Sequence, residues 1–434
     1  ASAQWTNNRH NLDDPEDRWL LMREISTRFW VNLRIESMAR AIANLDTPSN
    51  SDKLSALFLL LYPLRNPKPS MPSLFDSFSL KDVTLRNRIA VSPMCQYMSD
   101  QGVATEWHRT HYSALARGGS GLVVVEATAV SPEGRISWAD AGLWNDEQAA
   151  ALEPIVREIK RAGAIAGIQL AHAGRKASAN RPWEGDDHIP EGKPNSWTPI
   201  APSAVAFGAN LPRVPDAMSV EDIHRVQSDM AQAVRRAKDI GFDWLQLHFA
   251  HGYLAQNFWS CKSNKRTDQY GGSAENRGRY LLETLAKARS VWPENLPLTA
   301  RMGVIDFDGN DEQMLGESID LLRQMKREGL DSVDISMGFN SPDANIPWGP
   351  NLLEDIAAKV LRETQLPGST SWFIDGPSSA DRMVREGKVD FVMIGRPLLS
   401  DPHWPYHAAK ELGVPEAAWK TLPAPYAHWL ARYR

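Results

Sequence analysis

Cysteine is scarce: the chain's 434 residues include two, Cys95 and Cys261. Two thiols cannot build a disulfide framework, an iron–sulfur cluster or a thiolate zinc site, and their scarcity fits a reducing compartment. Long apolar runs are also missing. The longest, Leu54 to Leu64, is interrupted by Ser55 and Pro63, and it falls well short of the roughly 20 residues that cross a bilayer. Basic charge is not in excess, since the formal net charge is -5 and no Lys/Arg-rich tract occurs, which argues against nucleic acid as a partner. Residues 1–30 lack the basic lead and apolar core of a secretory signal, and Asp13, Asp14, Glu16, Asp17 and Glu24 are too acidic for a transit peptide. A cytoplasmic location is the expectation.

What is present is enough apolar material for one large core, 42% of the residues. From residue 89 onward, apolar runs alternate with amphipathic ones. Strands are expected at Ile89 to Val91, Gly121 to Ala127, Ala166 to Leu170, Trp244 to His248, Leu298 to Met302, Ser332 to Ser336, Thr370 to Ile374 and Phe391 to Ile394. Helices are expected at Asp146 to Arg161, Ser219 to Ile240, Asn276 to Val291, Asp311 to Glu328, Asn351 to Thr364 and Ser378 to Glu386. Strands and helices in this alternation predict an α/β fold, a (β/α)8 TIM barrel. Phe78 to Leu85 reads as a hairpin closing the barrel's bottom, and Ala177 to Met218, long and without a sustained period, reads as a cap over the catalytic face. The first 70 residues stand apart as a helical extension and Pro-rich linker, with residues 71–434 forming the barrel domain. Asp14-Pro15 is a good helix start, Trp19, Met22, Ile25, Leu33 and Met38 recur at helical spacing, and the prolines from Pro63 to Pro72 mark the linker.

The densest chemistry is His248-Phe249-Ala250-His251-Gly252-Tyr253, at the carboxyl end of an expected strand, where barrel enzymes keep their reactive groups. Two imidazoles at that spacing can converge on one oxygen or ligate a metal; Tyr253 can be an acid or a packing residue. Cys95 taken alone is a small buried hydrophobe, and Cys261 reads the same way.

With Arg266-Thr267-Asp268-Gln269-Tyr270-Gly271-Gly272-Ser273-Ala274-Glu275-Asn276-Arg277 following it, this segment resembles the Old Yellow Enzyme family of FMN-dependent ene-reductases. Further matches run through residues 72–434, among them Ser92-Pro93-Met94-Cys95-Gln96-Tyr97-Met98, Gln169-Leu170-Ala171-His172-Ala173-Gly174-Arg175-Lys176 and Leu422-Pro423-Ala424-Pro425-Tyr426-Ala427-His428-Trp429; they are most similar to the xenobiotic reductase A subgroup. The resemblance implies FMN, reduced by NADPH or NADH and reoxidised in ping-pong fashion by enones, quinones or nitro compounds. It implies His248 and His251 as oxyanion donors, Tyr253 as proton donor, Cys95 as a tuner of the flavin and Tyr97 as a substrate contact. For FMN it implies Pro93, Met94, Cys95, Ala127, Gln169, Arg301, Trp372, Gly376, Gly395 and Arg396, and for substrate Tyr97, His248, His251, Trp372 and Trp429. No metal is implied. In the similar subgroup the tryptophan matching Trp429 crosses a dimer interface, so a homodimer or higher homo-oligomer is expected.

Two features depart from the pattern or stay open. Trp372 is followed by bulky Phe373 where the subgroup has a small residue, and Lys176 can assist the site or be a loop ion-pair partner. Two other readings compete: a flavin-independent barrel lyase or isomerase using Lys176 as a Schiff-base nucleophile, and a scaffold or membrane-docked protein acting through residues 1–70. The C-terminal segment from Pro423 to Arg434, rich in aromatics and interrupted by two prolines, is expected to be non-helical and to lie over an apolar surface.

Overall fold

The computed structural model describes residues 71–433, so the helix and linker expected over residues 1–70 lie outside the described residues. Twelve strands occur among the described residues. In chain order they are β1 (Phe78–Leu80), β2 (Val83–Leu85), β3 (Ile89–Val91), β4 (Leu122–Ala129), β5 (Ile165–Ala171), β6 (Ile200–Ala201), β7 (Asp216–Ala217), β8 (Trp244–Phe249), β9 (Leu298–Ile305), β10 (Ser332–Met337), β11 (Gly368–Thr370) and β12 (Phe391–Ile394). Eight of them, β3, β4, β5, β8, β9, β10, β11 and β12, close into a barrel whose neighbours all run parallel. The pairing of β12 with β3 is the closure. This is the (β/α)8 barrel the alternation predicts.

The helices are α1 (Glu106–Arg117), α2 (Asp146–Arg161), α3 (Val220–Asp239), α4 (Leu254–Trp259), α5 (Ala274–Arg289), α6 (Asp311–Arg327), α7 (Glu354–Thr364), α8 (Pro377–Arg385), α9 (Arg396–Ser400), α10 (Trp404–Glu411), α11 (Ala417–Thr421) and α12 (Ala424–Leu430). The starts of α2 and α3 follow from side chains that satisfy free amides: Asn145 accepts from the Gln148 amide and Ser219 from the Asp222 amide, at 2.9 and 3.1 Å. None of the described helices is long and apolar enough to cross a membrane.

The hairpin β1–β2 does plug the bottom. Phe78, Val83 and Leu85 pack with Trp244, Phe391 and Met393 in one apolar cluster at the amino ends of the strands, with the Phe78 and Phe391 rings 5.5 Å apart. A larger cluster lies between the strands and the ring of helices. The cap from Ala177 to Met218 keeps little regular structure beyond one turn at Pro182–Glu184 and the two-residue pair β6–β7.

Three expectations need correction. The seventh barrel strand is β11, Gly368–Thr370, and not Thr370 to Ile374. Trp372 and Phe373 leave the strand with φ of 73° and 60°, because the chain there turns into the catalytic rim, and that overrides the β preference of Trp-Phe-Ile. The C-terminal segment contains α12 where no helix was expected. Pro423 is its N-cap and Pro425 lies in its first turn, where proline's missing N–H costs nothing. Ala427 is buried there, whereas Trp429 is 70% exposed and Tyr433 72%. Finally, α1 was not expected at all; its buried side is His108, Tyr112, Leu115 and Ala116, a weak apolar signal.

Candidate active site

The parallel register carries the expected site residues to one end of the barrel. Gln169 on β5 pairs with Gln246 on β8, and His248 on β8 pairs with Arg301 on β9, which in turn pairs with Asp334 on β10. Gln169 Nε2 donates to Gln246 Oε1 at 2.7 Å. Arg301 donates through Nη2 to Ser371 Oγ at 2.7 Å, and its Nε lies 3.1 Å from Asp334 Oδ2 in an almost fully buried ion pair. Ala127 pairs with Gln169 just past a register shift in β4.

At the carboxyl end of β8 the three motif rings meet edge to face. His248 lies 4.9 Å from His251 and 5.1 Å from Tyr253, and His251 lies 6.3 Å from Tyr253, between ring centroids. His251 adopts φ of 61°. Its Nε2 is 2.9 Å from Ser336 Oγ, which also accepts the Trp372 indole N–H at 3.0 Å. Burial, with repulsion from Arg301 added, holds both imidazoles well below their ordinary pKa, so they are neutral at pH 7. Burial pushes the Tyr253 phenol well above its usual value, and it keeps its proton.

Among the described residues Lys176 forms no ion pair. Its Nζ donates to the carbonyls of His251 at 2.8 Å and Phe339 at 3.0 Å, and it lies over the Phe207 ring at 4.2 Å. Burial and the neighbouring Arg175 pull it down to about 7. Gly252 makes room for it: with φ of 68°, a Cβ there would sit 2.3 Å from the Phe339 carbonyl oxygen and 2.9 Å from Nζ.

Beside the rings opens a cavity of about 580 Å³ lined by Ser92, Pro93, Met94, His251, Arg301, Ser371, Trp372, Phe373, Gly395 and Arg396, among others. Its volume falls in the range of small-molecule sites. Phe373 turns its ring to the Arg396 guanidinium, 4.7 Å away, and to Trp348 at 5.6 Å. Gly376, with φ of 93°, caps α8 next to it. Across the rim Tyr97, φ 52°, meets Trp183 of the cap at 5.9 Å, and half-buried Cys95 has its thiol pushed up by burial. Trp429 does not line the cavity. Sequence reasoning missed Ser336, Ser371, Phe339 and Glu126. Only Glu126 left a visible signal, a lone charge inside the apolar run of β4.

Known proteins match this chain along the barrel. The profile of the NADH:flavin oxidoreductase / NADH oxidase family matches residues 73–414. An NADPH dehydrogenase of Geobacillus thermodenitrificans is 40% identical over 343 residues, covering 79% of this chain and 95% of that one. The NADPH dehydrogenase of Bacillus subtilis is 38% identical over 354 residues, covering 81% and 97%. Among solved structures, morphinone reductase superposes with a TM-score of 0.67 at 25% identity, over 80% of this chain and 91% of that one. The old yellow enzyme homologue of Zymomonas mobilis does so with 0.65 at 25% identity, over 82% and 99%. A profile spanning the barrel and relatives matched almost end to end leave no place for the lyase alternative: the chain belongs to the NADH:flavin oxidoreductase / NADH oxidase family, that of Old Yellow Enzyme, and is an NAD(P)H-dependent FMN oxidoreductase.

Proposed function

We propose that this oxidoreductase is an ene-reductase acting on activated alkenes such as enones, quinones or nitro compounds. The observation that carries the reading is the packing of His248, His251 and Tyr253 beside the cavity that holds Met94, Arg301, Trp372 and Arg396.

The residues present fit FMN. Among the described residues, His248 Nδ1 and Ser92 Oγ are buried without a hydrogen-bond partner, and a ligand rich in acceptors and donors would satisfy them. Gln169 can bond the pyrimidine edge, and Arg301 places positive charge against it. Gly376 and Gly395 let backbone approach a phosphate, and Arg396 neutralises it. Phe373 covers only the face of that guanidinium, so its N–H edges stay available and the bulky residue is compatible with a phosphate there. Pro93, Met94, Cys95, Ala127 and Trp372 complete the contacts.

Reduced FMN supplies the hydride. The protein supplies the rest: His248 and His251, being neutral, donate N–H bonds to the substrate's carbonyl or nitro oxygen as it gains charge. Tyr253, or Tyr97 across the rim, would deliver a proton to the α-carbon of the alkene, the one bonded to the carbonyl carbon or the nitro nitrogen. Trp372 walls the pocket. The test is anaerobic titration of the yellow protein with NADPH and with NADH, followed by cyclohexenone, a quinone, a nitroalkene or a nitrate ester. Reoxidation by an enone or nitroalkene is expected, and reoxidation by none of them would overturn the reading.

Exposed Trp429 suits a site shared between copies in a homodimer, in the cytoplasm that the cysteine count favours. Light scattering should show a dimer or larger. Verified hybrids of a His248→Ala protomer with a Trp429→Ala protomer should regain activity, whereas a monomer, or inactive hybrids, would reject sharing.

A further inference from the structure

Behind the turn that carries Cys95 and Tyr97 lies a buried polar cluster that the roles above leave unused. Glu126 sits at the register shift of β4 and is fully buried between the barrel and α1. One of its oxygens, Oε2, accepts the backbone N–H of Gln96 at 2.8 Å. The other, Oε1, accepts the Tyr112 hydroxyl at 2.9 Å and lies 3.4 Å from His108 Nε2. His108 Nδ1 accepts from the Thr105 amide at 3.0 Å, so the neutral ring carries its proton on Nε2, facing Glu126 and Ser99 Oγ. Among the described residues, no Lys or Arg forms an ion pair with Glu126.

The groups facing this carboxyl come from three elements. From α1 come His108 and Tyr112, with the His111 ring edge-on to Tyr112 at 4.9 Å; from the loop after β4 comes buried Asp140; from the loop after β3 come Cys95 and Tyr97. With no cation among them, burial raises Glu126 to about 8; burial first, then the charges of Asp140 and Glu126, disfavour the Cys95 thiolate. A carboxyl bound to the amide of the residue between Cys95 and Tyr97 also fixes the left-handed turn that aims both side chains.

We infer that Glu126 is a positioning residue of the redox site: through the Gln96 amide it holds Cys95 and Tyr97 in place, and its carboxylate, together with buried Asp140, keeps the Cys95 thiol unreactive. The inference rests on the reading that places Cys95 beside the flavin. Its test does not rest on turnover.

In the holoenzyme with Cys261→Ser, Cys95 is the sole thiol, and its alkylation by iodoacetamide is followed from about pH 7 to 10 together with the visible flavin spectrum. Glu126→Gln keeps an oxygen for the Gln96 amide but cannot ionise. It should speed alkylation several-fold above about pH 8, where the wild-type carboxylate forms. Tyr112→Phe removes a bond that favours the carboxylate, so it should shift the profile the same way over about pH 8 to 9, and it decides the matter if the Gln variant does not fold. Alkylation profiles and flavin spectra superimposable on wild type would overturn the inference. A shifted profile in a protein that no enone reoxidises would uphold the Glu126–Cys95 link while the substrate reading fails.

Discussion

The two sides of the catalytic rim are held by inward-facing groups of opposite polarity. On the β8 side a lysine amine donates to the carbonyls of His251 and Phe339; on the β3 side a glutamate accepts the amide of Gln96. Each secures an aromatic site residue with positive φ, His251 in one case and Tyr97 in the other. Such backbone costs on the order of 1–3 kcal/mol and persists only where its surroundings impose it. The difference lies in what each side offers the reaction. On the proposed function the β8 side would present neutral N–H donors to an oxygen that gains charge, while the β3 side would present a sulfur and a phenol whose ionisation is suppressed. Damage to the first should appear in rate, and damage to the second in redox and thiol behaviour.

The largest effect should come from breaking the β8 side. His248→Ala or His251→Ala removes one oxyanion donor, which is worth about 2.7–4 kcal/mol, so oxidation of the reduced protein by cyclohexenone should slow about 10²–10³-fold while reduction by nicotinamide stays measurable. Stopped-flow flavin absorbance checks this, and turnover equal to wild type in both variants would remove the pair from the chemistry.

Next in size is a mirror-image dependence of stability on pH. The Lys176 pKa falls from 10.5 to about 7 on folding, so the unfolded chain binds more protons between those values; the residue's contribution is present at high pH and lost as pH falls from 10.5 towards 7. Glu126 rises from 4.5 to about 8, so its contribution is present at low pH and lost as pH climbs through that interval. Urea unfolding at fixed FMN concentration should show Lys176→Met removing the first slope and Glu126→Gln the second, each by up to about 1.4 kcal/mol per pH unit. If both variants run parallel to wild type, neither group is buried in the state that folds.

The two sides also differed in how far the sequence revealed them. The β8 side was legible because Trp244 to His248 is a clean apolar run and both imidazoles follow it directly, so the strand's direction alone delivers them to the rim. Gln169 and Arg301 came from the family resemblance, and the strands expected around them carry them to the same rim. Glu126 could be seen as a charge in an apolar run, but its partners His108 and Tyr112 arrive on a helix whose apolar face is too weak to announce itself, and only barrel closure brings them under β4. The end of β11 was misread for a related reason: Trp372-Phe373-Ile374 favours a strand locally, and the cavity's contacts pull it out of one. Local pattern reports what the wall needs. Residues serving the rim answer to neighbours far away in sequence.

The smallest expected effect sharpens the β3 side. Cys95 is half-buried next to Tyr97, and with its pKa raised by burial and by the nearby Asp140 and Glu126 it remains a thiol across the working pH range. If Cys95 lies beside the flavin as proposed, its neutral, polarisable sulfur would act on the oxidised and reduced forms unequally, because only the reduced form carries added electron density. Removing it should therefore leave binding largely intact but move the balance between the two forms. Cys95→Ala should retain FMN and shift its midpoint potential on the order of 30 mV, the two-electron equivalent of a tenfold change in relative affinity for the two oxidation states. Spectroelectrochemical titration measures this directly, and His248→Ala in the same experiment should move the potential less than it slows the enone step. If Cys95→Ala leaves the potential unchanged while His248→Ala shifts it, redox tuning belongs to the β8 side and the division of labour between the two sides is reversed.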